Sequence, residues 1–581
     1  MSNLMAMLNT GLSGIMAAQV QLDVTGHNIA NLNNKNYSRQ RVEVVSAYAM
    51  KSKEGTYGQG VKTVGVVRIY DEILTRTLRN ETSSLAYWAN NQQGLDSIQV
   101  YFNELETGSG LGEHLLNYFN AWQDLSVIPP DNSDESYIKR TQVLATAEEL
   151  CAQIQNDYAM FRQLKDNINE NLKSAVSEIN AIAESIAKLN SDIVRVEADG
   201  SHANDLRDTR DALVNTVAQM AGINVTERPN GEIAVYIAGE PIVDGARAFK
   251  LELELREDGE YDVIWRASNI DKTSTVISNR IAGGTMQSDI YLRDTLINKY
   301  TKELDELVKT LIYETNKIHA SGQGLARFTE LTATNSVASP RFPIESEYGN
   351  LPYPLQEGTF QIKIYDAEGV LAATQSVSID PKTDTLNGIA EKISTSGGDI
   401  LNGTIQSYVD YQGYLQIRVT EGYTFSFGED TSGFLVAAGF NNFFSGTDSS
   451  NISVDSHIKT NIAYISTSVE GDVGDNEIAK AIVEVQFKSV LEGGITISDF
   501  YGYFIGRIAS EKQQTDLFVA TKEMSVASYE EKVQAVSGVS ESEETANLII
   551  FEKMLQANAR FINAVDEMLD IIVNNLGLVG R

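Results

Sequence analysis

The chain has 581 residues with 79 acidic and 46 basic side chains, a formal charge of −33, and 25 Tyr and 19 Phe within an apolar fraction of 42%. Roughly three to five domains fit that length; the aromatic content excludes a disordered chain, and the acidic balance excludes nucleic acid as a partner, because phosphate recognition needs clustered Lys and Arg. The single cysteine, Cys151, makes no intramolecular disulfide, and no apolar run is long enough for a membrane span, so no membrane insertion is expected.

The first residues, MSNLMAMLNTGLSGIMAAQ, carry no basic flank, no uninterrupted apolar stretch and no small-residue cleavage site. No cleaved secretory signal is expected, and by these rules alone the protein stays in the cytoplasm. Residues 1–53 hold five basic side chains (Lys35, Arg39, Arg41, Lys51, Lys53) against two acidic ones (Asp23, Glu43), so the excess acid lies elsewhere. That suits an N-terminal end packed against other chains. Leu8, Ile15, Leu22 and Ile29 recur seven apart, the stripe of an amphipathic helix. Three positions beyond each stand Gly11, Ala18, Thr25 and Leu32, mostly small residues that let a neighbouring helix approach closely. Asn31, Asn33, Asn34 and Asn36 then end the helix, since Asn competes for backbone hydrogen bonds.

Helical tracts follow at roughly 70–105, 111–127, 135–220, 285–320 and 474–530. Between them lie two β-rich islands. The first, 222–284, alternates in Glu232–Ile237 and Lys250–Leu255, with turns at Asn230-Gly231 and Asp258-Gly259. The second, 335–470, repeats the alternation in Phe360–Ile364 and Tyr414–Val419.

At the far end Ser540-Glu541-Ser542-Glu543 reads as a capping box and Gly577 as a helix stop, which spans about 36 residues and about 54 Å. The stripe within is a heptad seam of Leu548, Phe551, Leu555, Asn558, Ile562, Val565, Leu569, Ile572 and Leu576, with Asn558 as its one polar, register-fixing member. Neither terminal helix has a sequence-local partner of matching length, so the two pair with each other or with other copies. A lone two-helix hairpin leaves much of each Leu or Phe wet, and burial is completed only by neighbours.

Catalytic and metal signatures were sought along the whole chain. The histidines His27, His114, His202, His319 and His457 are scattered and form no zinc spacing. Gly108-Ser109-Gly110-Leu111-Gly112 lacks the closing Lys of a phosphate loop and reads as a helix entry. Asp205, Asp208 and Asp211 recur three apart with Arg207 and Arg210 interleaved, so a charge-compensated face with an Arg207–Asp211 pair is expected in place of a metal site. The acidic loop from Glu197 to Asp205 lacks the ligand alternation of a calcium loop, and no GxSxG motif occurs. No cofactor, metal or catalytic residue is assigned.

Leu8–Gly14, Leu22–Asn31 and Asn36–Gln40 resemble the N-terminal signature of flagellar rod and hook family proteins. Asn204–Val214, Asn316–Gly322, Gly474–Ala479, the run Gly433–Gly446 and the C-terminal helix are similar to the hook-associated protein 1 branch of that axial family. The resemblance spans the chain, most loosely between 335 and 430. One departure is Asn36, where the signature often has Gly before Tyr37; since Asn tolerates positive φ, the turn is expected to survive.

The resemblance implies a non-enzymatic structural subunit between hook and filament, with other copies of itself, hook protein and a second hook–filament junction protein as neighbours. It also implies export through the flagellar channel and cover by a small chaperone at the C-terminal region before secretion. A hook, rod or flagellin-like subunit shares the terminal plan but lacks the internal segments, and a surface adhesin would use the β islands. The fold class expected is α+β multidomain, with a discontinuous coiled-coil terminal domain (1–45 and 540–581) and a mainly helical body (46–221, 285–334 and 471–539). Two β-rich insertions (222–284 and 335–470) complete it. Both terminal segments are expected to be mobile in the free subunit and to order on assembly.

Overall fold

The computed structural model describes residues 2–52, 55–102, 110–267, 274–395, 403–472, 474–491 and 493–575. Helix α1 (Ser2–Ala30) is followed by strands β1 (Gln40–Ser46), β2 (Met50–Ser52), β3 (Gly55–Tyr57) and β4 (Val61–Arg68). Then come α2 (Glu72–Phe102), α3 (Leu111–Ser126), α4 (Asp134–Val196) and α5 (Asn204–Met220). The first β island supplies β5 (Ile223–Glu227), β6 (Ile233–Ile237), β7 (Glu240–Asp244), β8 (Arg247–Ala248), β9 (Lys250–Leu255), β10 (Tyr261–Arg266) and β11 (Ser274–Val276). Helix α6 (Gly284–Tyr291) passes through a π-helical stretch into α7 (Asn298–Ala320). The second island holds β12 (Glu330–Thr332), β13 (Gly358–Tyr365), β14 (Leu371–Ile379), α8 (Leu386–Thr395), β15 (Ile405–Val409), β16 (Leu415–Val419) and β17 (Thr424–Asp430). Short elements close it: α9 (Phe434–Ala438), β18 (Phe444–Ser445), β19 (Ser453–Val454) and α10 (Ser456–Thr460). The chain ends in α11 (Glu477–Val485), α12 (Ile497–Ser537) and α13 (Glu541–Asp570).

Two compact units divide the chain, one of residues 1–94, 167–292 and 513–581, the other of 95–166 and 293–512. The terminal segments and the first β island fall in the first unit and the second β island in the second. The expected helical body is shared, because α2, α4 and α12 each give residues to both.

In the first unit β5–β8 form a four-stranded antiparallel sheet and β9–β11 a three-stranded one. The expected hairpin turns are present, with Gly231 and Gly259 at φ 84° and 86°, a backbone region that favours glycine. Residues 40–68, divided in the sequence reading between the terminal domain (to 45) and the mainly helical body (from 46), hold an antiparallel pair, β1 with β4. The Val-rich alternation of Gln40–Ser46 is the physical reason, since β-branched side chains suit a pleated surface. The tract 135–220 is two helices, parted by a turn that ends on left-handed Gly200.

In the second unit the sheets β14-β13-β17 and β12-β16-β15 enclose a core of Phe360, Ile364, Phe425, Phe427, Phe434 and Phe440, each fully buried. Trp122 and Tyr118 of α3 pack against Phe443 beside this core.

Candidate assembly interface

Helices α1 and α13 pack on each other along the small residues of α1. A Cβ on Gly11 would stand 2.7 Å from Ile562 Cγ1, and one on Gly14 would stand 2.5 Å from Asn558 Oδ1. Only glycine admits the partner side chains that closely. Gly11, Ala17, Ala18, Thr25 and Asn28 are the buried positions of α1, while the expected stripe of Leu8, Ile15, Leu22 and Ile29 is half-buried along the flank of the contact. The large residues border the groove, and the small ones make its floor.

Of the nine heptad positions read from the sequence, Phe551, Leu555, Asn558, Ile562, Val565 and Leu569 of α13 and Ile572 of the π-helical turn after it (Ile571–Asn575) are buried or half-buried. Val565 is fully buried. Leu548 departs from the seam and is exposed; Glu544 and Asn547 take its place toward the helix start. Leu576 and Gly577 lie outside the described residues. Asn558 donates Nδ2 to its own Met554 carbonyl at 2.9 Å, so it engages α1 by fitting over Gly14 and not by a cross-helix hydrogen bond.

The root of this hairpin is a polar cluster that apolar patterning does not reveal. Asn28 Oδ1 accepts from Tyr37 Oη (2.7 Å) and the Gln40 N–H (3.0 Å), while Asn28 Nδ2 donates to the Gln40 carbonyl (3.0 Å) and Glu544 Oε2 (3.2 Å). Arg39 donates to Glu543 Oε2 at 2.6 Å, and its Nε lies 2.8 Å from Glu544 Oε1. Its backbone N–H bonds the Ser537 carbonyl at the end of α12 (2.8 Å). Gln40 Nε2 donates to Asp205 (2.8 Å), and Ser38 gives Asp208 both its backbone N–H (2.9 Å) and its hydroxyl (2.8 Å). Residues 37–40 therefore tie α1, α5, α12 and α13 together. Burial, then the charges of Asp205, Asp208 and Glu544, push the Tyr37 phenol well above its ordinary range, so it stays a donor.

Glu543 serves Arg39 here, and the Ser540 side chain makes no capping bond, so the expected capping box does not close. The turn before Tyr37 holds through Tyr37 N–H to Asn34 O (3.1 Å) and Asn36 N–H to Asn34 Oδ1 (3.1 Å), without positive φ at Asn36.

The Asp/Arg run of α5 is charge-compensated, though not by the pair expected. Arg68 of β4 reaches Asp208 (2.6 Å) and Asp211 (2.9 Å), and Arg207 turns to Glu197 (2.7 Å) and Glu227 (2.5 Å). Burial lowers the Arg68 pKa, yet Asp211 and Asp208 more than offset this and the net shift is upward. Arg210 is buried and donates to the Gly231 carbonyl (2.7 Å) and Asn190 (3.0 Å). No group of three His, Cys, Asp or Glu placed to hold a metal occurs among the described residues.

The other segments of the sequence resemblance also brace backbone. Asn316 accepts from the N–H groups of Phe443 and Phe444 and donates to the Phe444 carbonyl. His319 bridges the Asn441 carbonyl (2.7 Å) and the Ser466 N–H (2.8 Å). Asp475 accepts from the N–H groups of Val469 and Glu470, and Asn476 donates to the Ile128 carbonyl (2.7 Å).

Three family models match the chain: "Flagella basal body rod protein" over residues 8–37, "Flagellar hook-associated protein FlgK helical domain" over 95–330, and "Flagellar basal body rod FlgEFG protein C-terminal" over 533–576. Two of these models therefore cover the two helices that pack together here. Flagellar hook-associated protein 1 of Salmonella typhimurium is 25% identical over 595 residues, spanning 98% of this chain and 99% of that protein. The Bacillus subtilis (strain 168) protein of the same name is 25% identical over 594 residues, with 99% of each chain covered. The chain is similar to flagellar hook-associated protein 1 over nearly its whole length. Its fold is also similar to that of the flagellar hook junction protein FlgK from Burkholderia pseudomallei, with a TM-score of 0.53 and 14% identity, covering 80% of this chain and all of that one. Members of the hook-associated protein 1 family are structural flagellar proteins, not enzymes. No described helix is long and apolar enough to cross a membrane.

Proposed function

We propose that this chain is a subunit of the hook–filament junction that assembles with copies of itself through the α1–α13 hairpin. The observation that supports it most is the apolar surface the hairpin leaves uncovered. Met5, Leu12 and Met16 on α1 are exposed, as are Ile549, Ile550, Met554, Phe561, Met568, Ile571 and Val573 on α13. So many exposed large apolar side chains on one pair of helices support an association site. Each such side chain gains roughly 1.5–3 kcal/mol when fully buried, so neighbouring hairpins supply the burial one hairpin lacks. In this reading hook protein bounds the ring on one side and a second junction protein on the other. A small export chaperone covers the α13 stripe before the chain leaves through the flagellar channel without a cleaved signal.

Ordering on assembly is then confined to the hairpin tip, because Asn28, residues 37–40 and Glu544 already tie its root to the body. Leu555→Asp tests the reading. It is expected to leave the body folded by circular dichroism and to abolish incorporation at the hook tip, because the new carboxylate would be buried unpaired in the seam. Normal incorporation of the variant refutes the need for an intact α1–α13 hairpin in assembly.

A further inference from the structure

Strand β5 is the edge of its sheet, paired with β6 on one side and with no strand on the other among the described residues. Successive residues of a strand point to opposite faces, so a depression confined to one face would touch every second residue. Along β5 both sets are touched. A cavity of about 780 Å³ is lined by Asn224 and Thr226, together with Tyr236, the cross-strand partner of Asn224. A second, of about 610 Å³, is lined by Val225 and Glu227, together with Ile233, the partner of Glu227. Both share Asn80, Ile223 and Asn224. The two are one groove that wraps the free edge of β5. Its opposite wall is a face of α2, with Arg76, Arg79, Asn80, Ser83, Ser84 and Tyr87 three and four residues apart. Outside the ladder with β6, no backbone group of residues 223–227 has a hydrogen bond among the described residues.

The groove is chemically graded. No charged residue lines the larger end, where the side chains of Asn80, Ser84, Asn224 and Thr226 and the hydroxyls of Tyr87 and Tyr236 make no hydrogen bond with described residues. At the other end Arg68 and Arg207 are each held by two carboxylates. Arg79 is not: only 9% exposed, it donates Nε to Asn215 Oδ1 at 2.9 Å and meets no carboxylate. Exposed Arg76 has no ion pair among the described residues, and Glu72, one turn earlier, lines the same end without reaching either guanidinium.

We propose that this groove receives an extended acidic segment from a second copy of the chain, which adds a strand to β5 and sets a carboxylate between Arg76 and Arg79. A free strand edge is satisfied by another peptide backbone, and a sugar or an apolar helix offers no such ladder. Two guanidiniums without counter-charge select a carboxylate. A chain of net charge −33 brings acid to every contact between copies and needs local cation to offset the repulsion. The inference rests on the self-assembly reading but uses different elements.

The test places the photoreactive residue p-benzoylphenylalanine at Asn80 in the full chain, in flagellated cells. Irradiation is expected to give an adduct of twice the chain mass whose cross-linked peptide is an acidic stretch of the same sequence. Arg76→Glu, an exposed change, should lower its yield roughly tenfold, the loss of about 1.4 kcal/mol of pairing. An adduct to another protein, a yield unchanged by Arg76→Glu, or incorporation into the flagellum with no adduct overturns the groove assignment alone. Absence of the chain from the flagellum overturns the self-assembly reading with it.

Discussion

Gly14 and Asn558 make the closest fit in the terminal hairpin, and Gly14→Ala is the sharpest way to probe it. The new Cβ would fall 2.5 Å from Asn558 Oδ1 and 2.7 Å from its Cγ. Two effects oppose each other. Alanine gains roughly 1 kcal/mol of helix propensity over glycine in α1, while forcing an extra methyl into a packed contact costs about 1–3 kcal/mol. Asn558 escapes the clash only by moving a side chain already bonded to the Met554 carbonyl at 2.9 Å, so the clash wins and the hairpin loses about 1 kcal/mol. Asn558→Ala removes the obstructing atoms, and in the double variant the two methyl groups share the space the amide leaves. Propensity changes belong to each helix separately and cancel in a double-mutant cycle, leaving a coupling of about 1–2 kcal/mol in favour of the double variant. Amide exchange along Phe551–Leu569 of the purified chain reads the opening free energy of the hairpin directly. A coupling within about 0.3 kcal/mol of zero would show that Gly14 is not the notch for Asn558.

Two further outcomes follow from buried polar groups. Glu544→Ala strips Asn28 of an acceptor and Arg39 of an ion-pair partner at a position 1% exposed and should weaken the hairpin root by about 3 kcal/mol, read as faster exchange in α13; an effect below about 0.5 kcal/mol contradicts a structural root. His319 is fully buried, and burial drops its imidazole pKa from 6.5 to about 3. The unfolded chain therefore takes the proton first as pH falls, so this stability is complete above about pH 6.5 and drains between there and about pH 3, with about 2 kcal/mol gone at pH 5. Thermal unfolding at pH 7 and pH 5 checks this: His319→Gln should show a shallower pH dependence than the native chain, and equal slopes would mean His319 is not the titrating group.

The α13 heptad was legible because a seam against one partner helix depends only on residues three and four apart. The contact face of α1 was legible in part. Apolar patterning points to Leu8, Ile15, Leu22 and Ile29, yet the axis of contact runs through Gly11, Gly14, Ala18 and Thr25, where the two helices approach most closely. Gly-Leu-Ser-Gly at 11–14 was the available signal. The strand at Gln40–Ser46 was also readable in its Val-rich alternation and was masked by the expectation of a coiled-coil domain to residue 45 and a helical body from 46. The ion pairs were not readable at all. Local spacing offers Arg207 to Asp211, but the fold brings Arg68 from β4 to that carboxylate and leaves Arg207 to Glu197 and Glu227, a choice set by tertiary geometry.

The segments that carry the family resemblance and the surfaces assigned to association are largely different residues, and the chemistry explains why. Asn28, Asp208, Arg210, Asn316, His319 and Asn476 are all buried, and their polar groups hold backbone or one another. A buried polar group is costly when unmatched, so the hydrogen bonds these residues do make restrict the arrangements they accept. Among them, Asn28 and Asp208 hold the root from which α1 and α13 extend. The exposed Met, Ile and Phe of the hairpin gain from any apolar neighbour of suitable shape and carry no comparable demand on identity. On the self-assembly reading proposed above, specificity comes from the buried hydrogen bonds at the hairpin root, while exposed apolar side chains supply the attraction. Damage to the first kind should therefore misdirect assembly even where the second is intact, which is the outcome expected of Glu544→Ala beside Leu555→Asp.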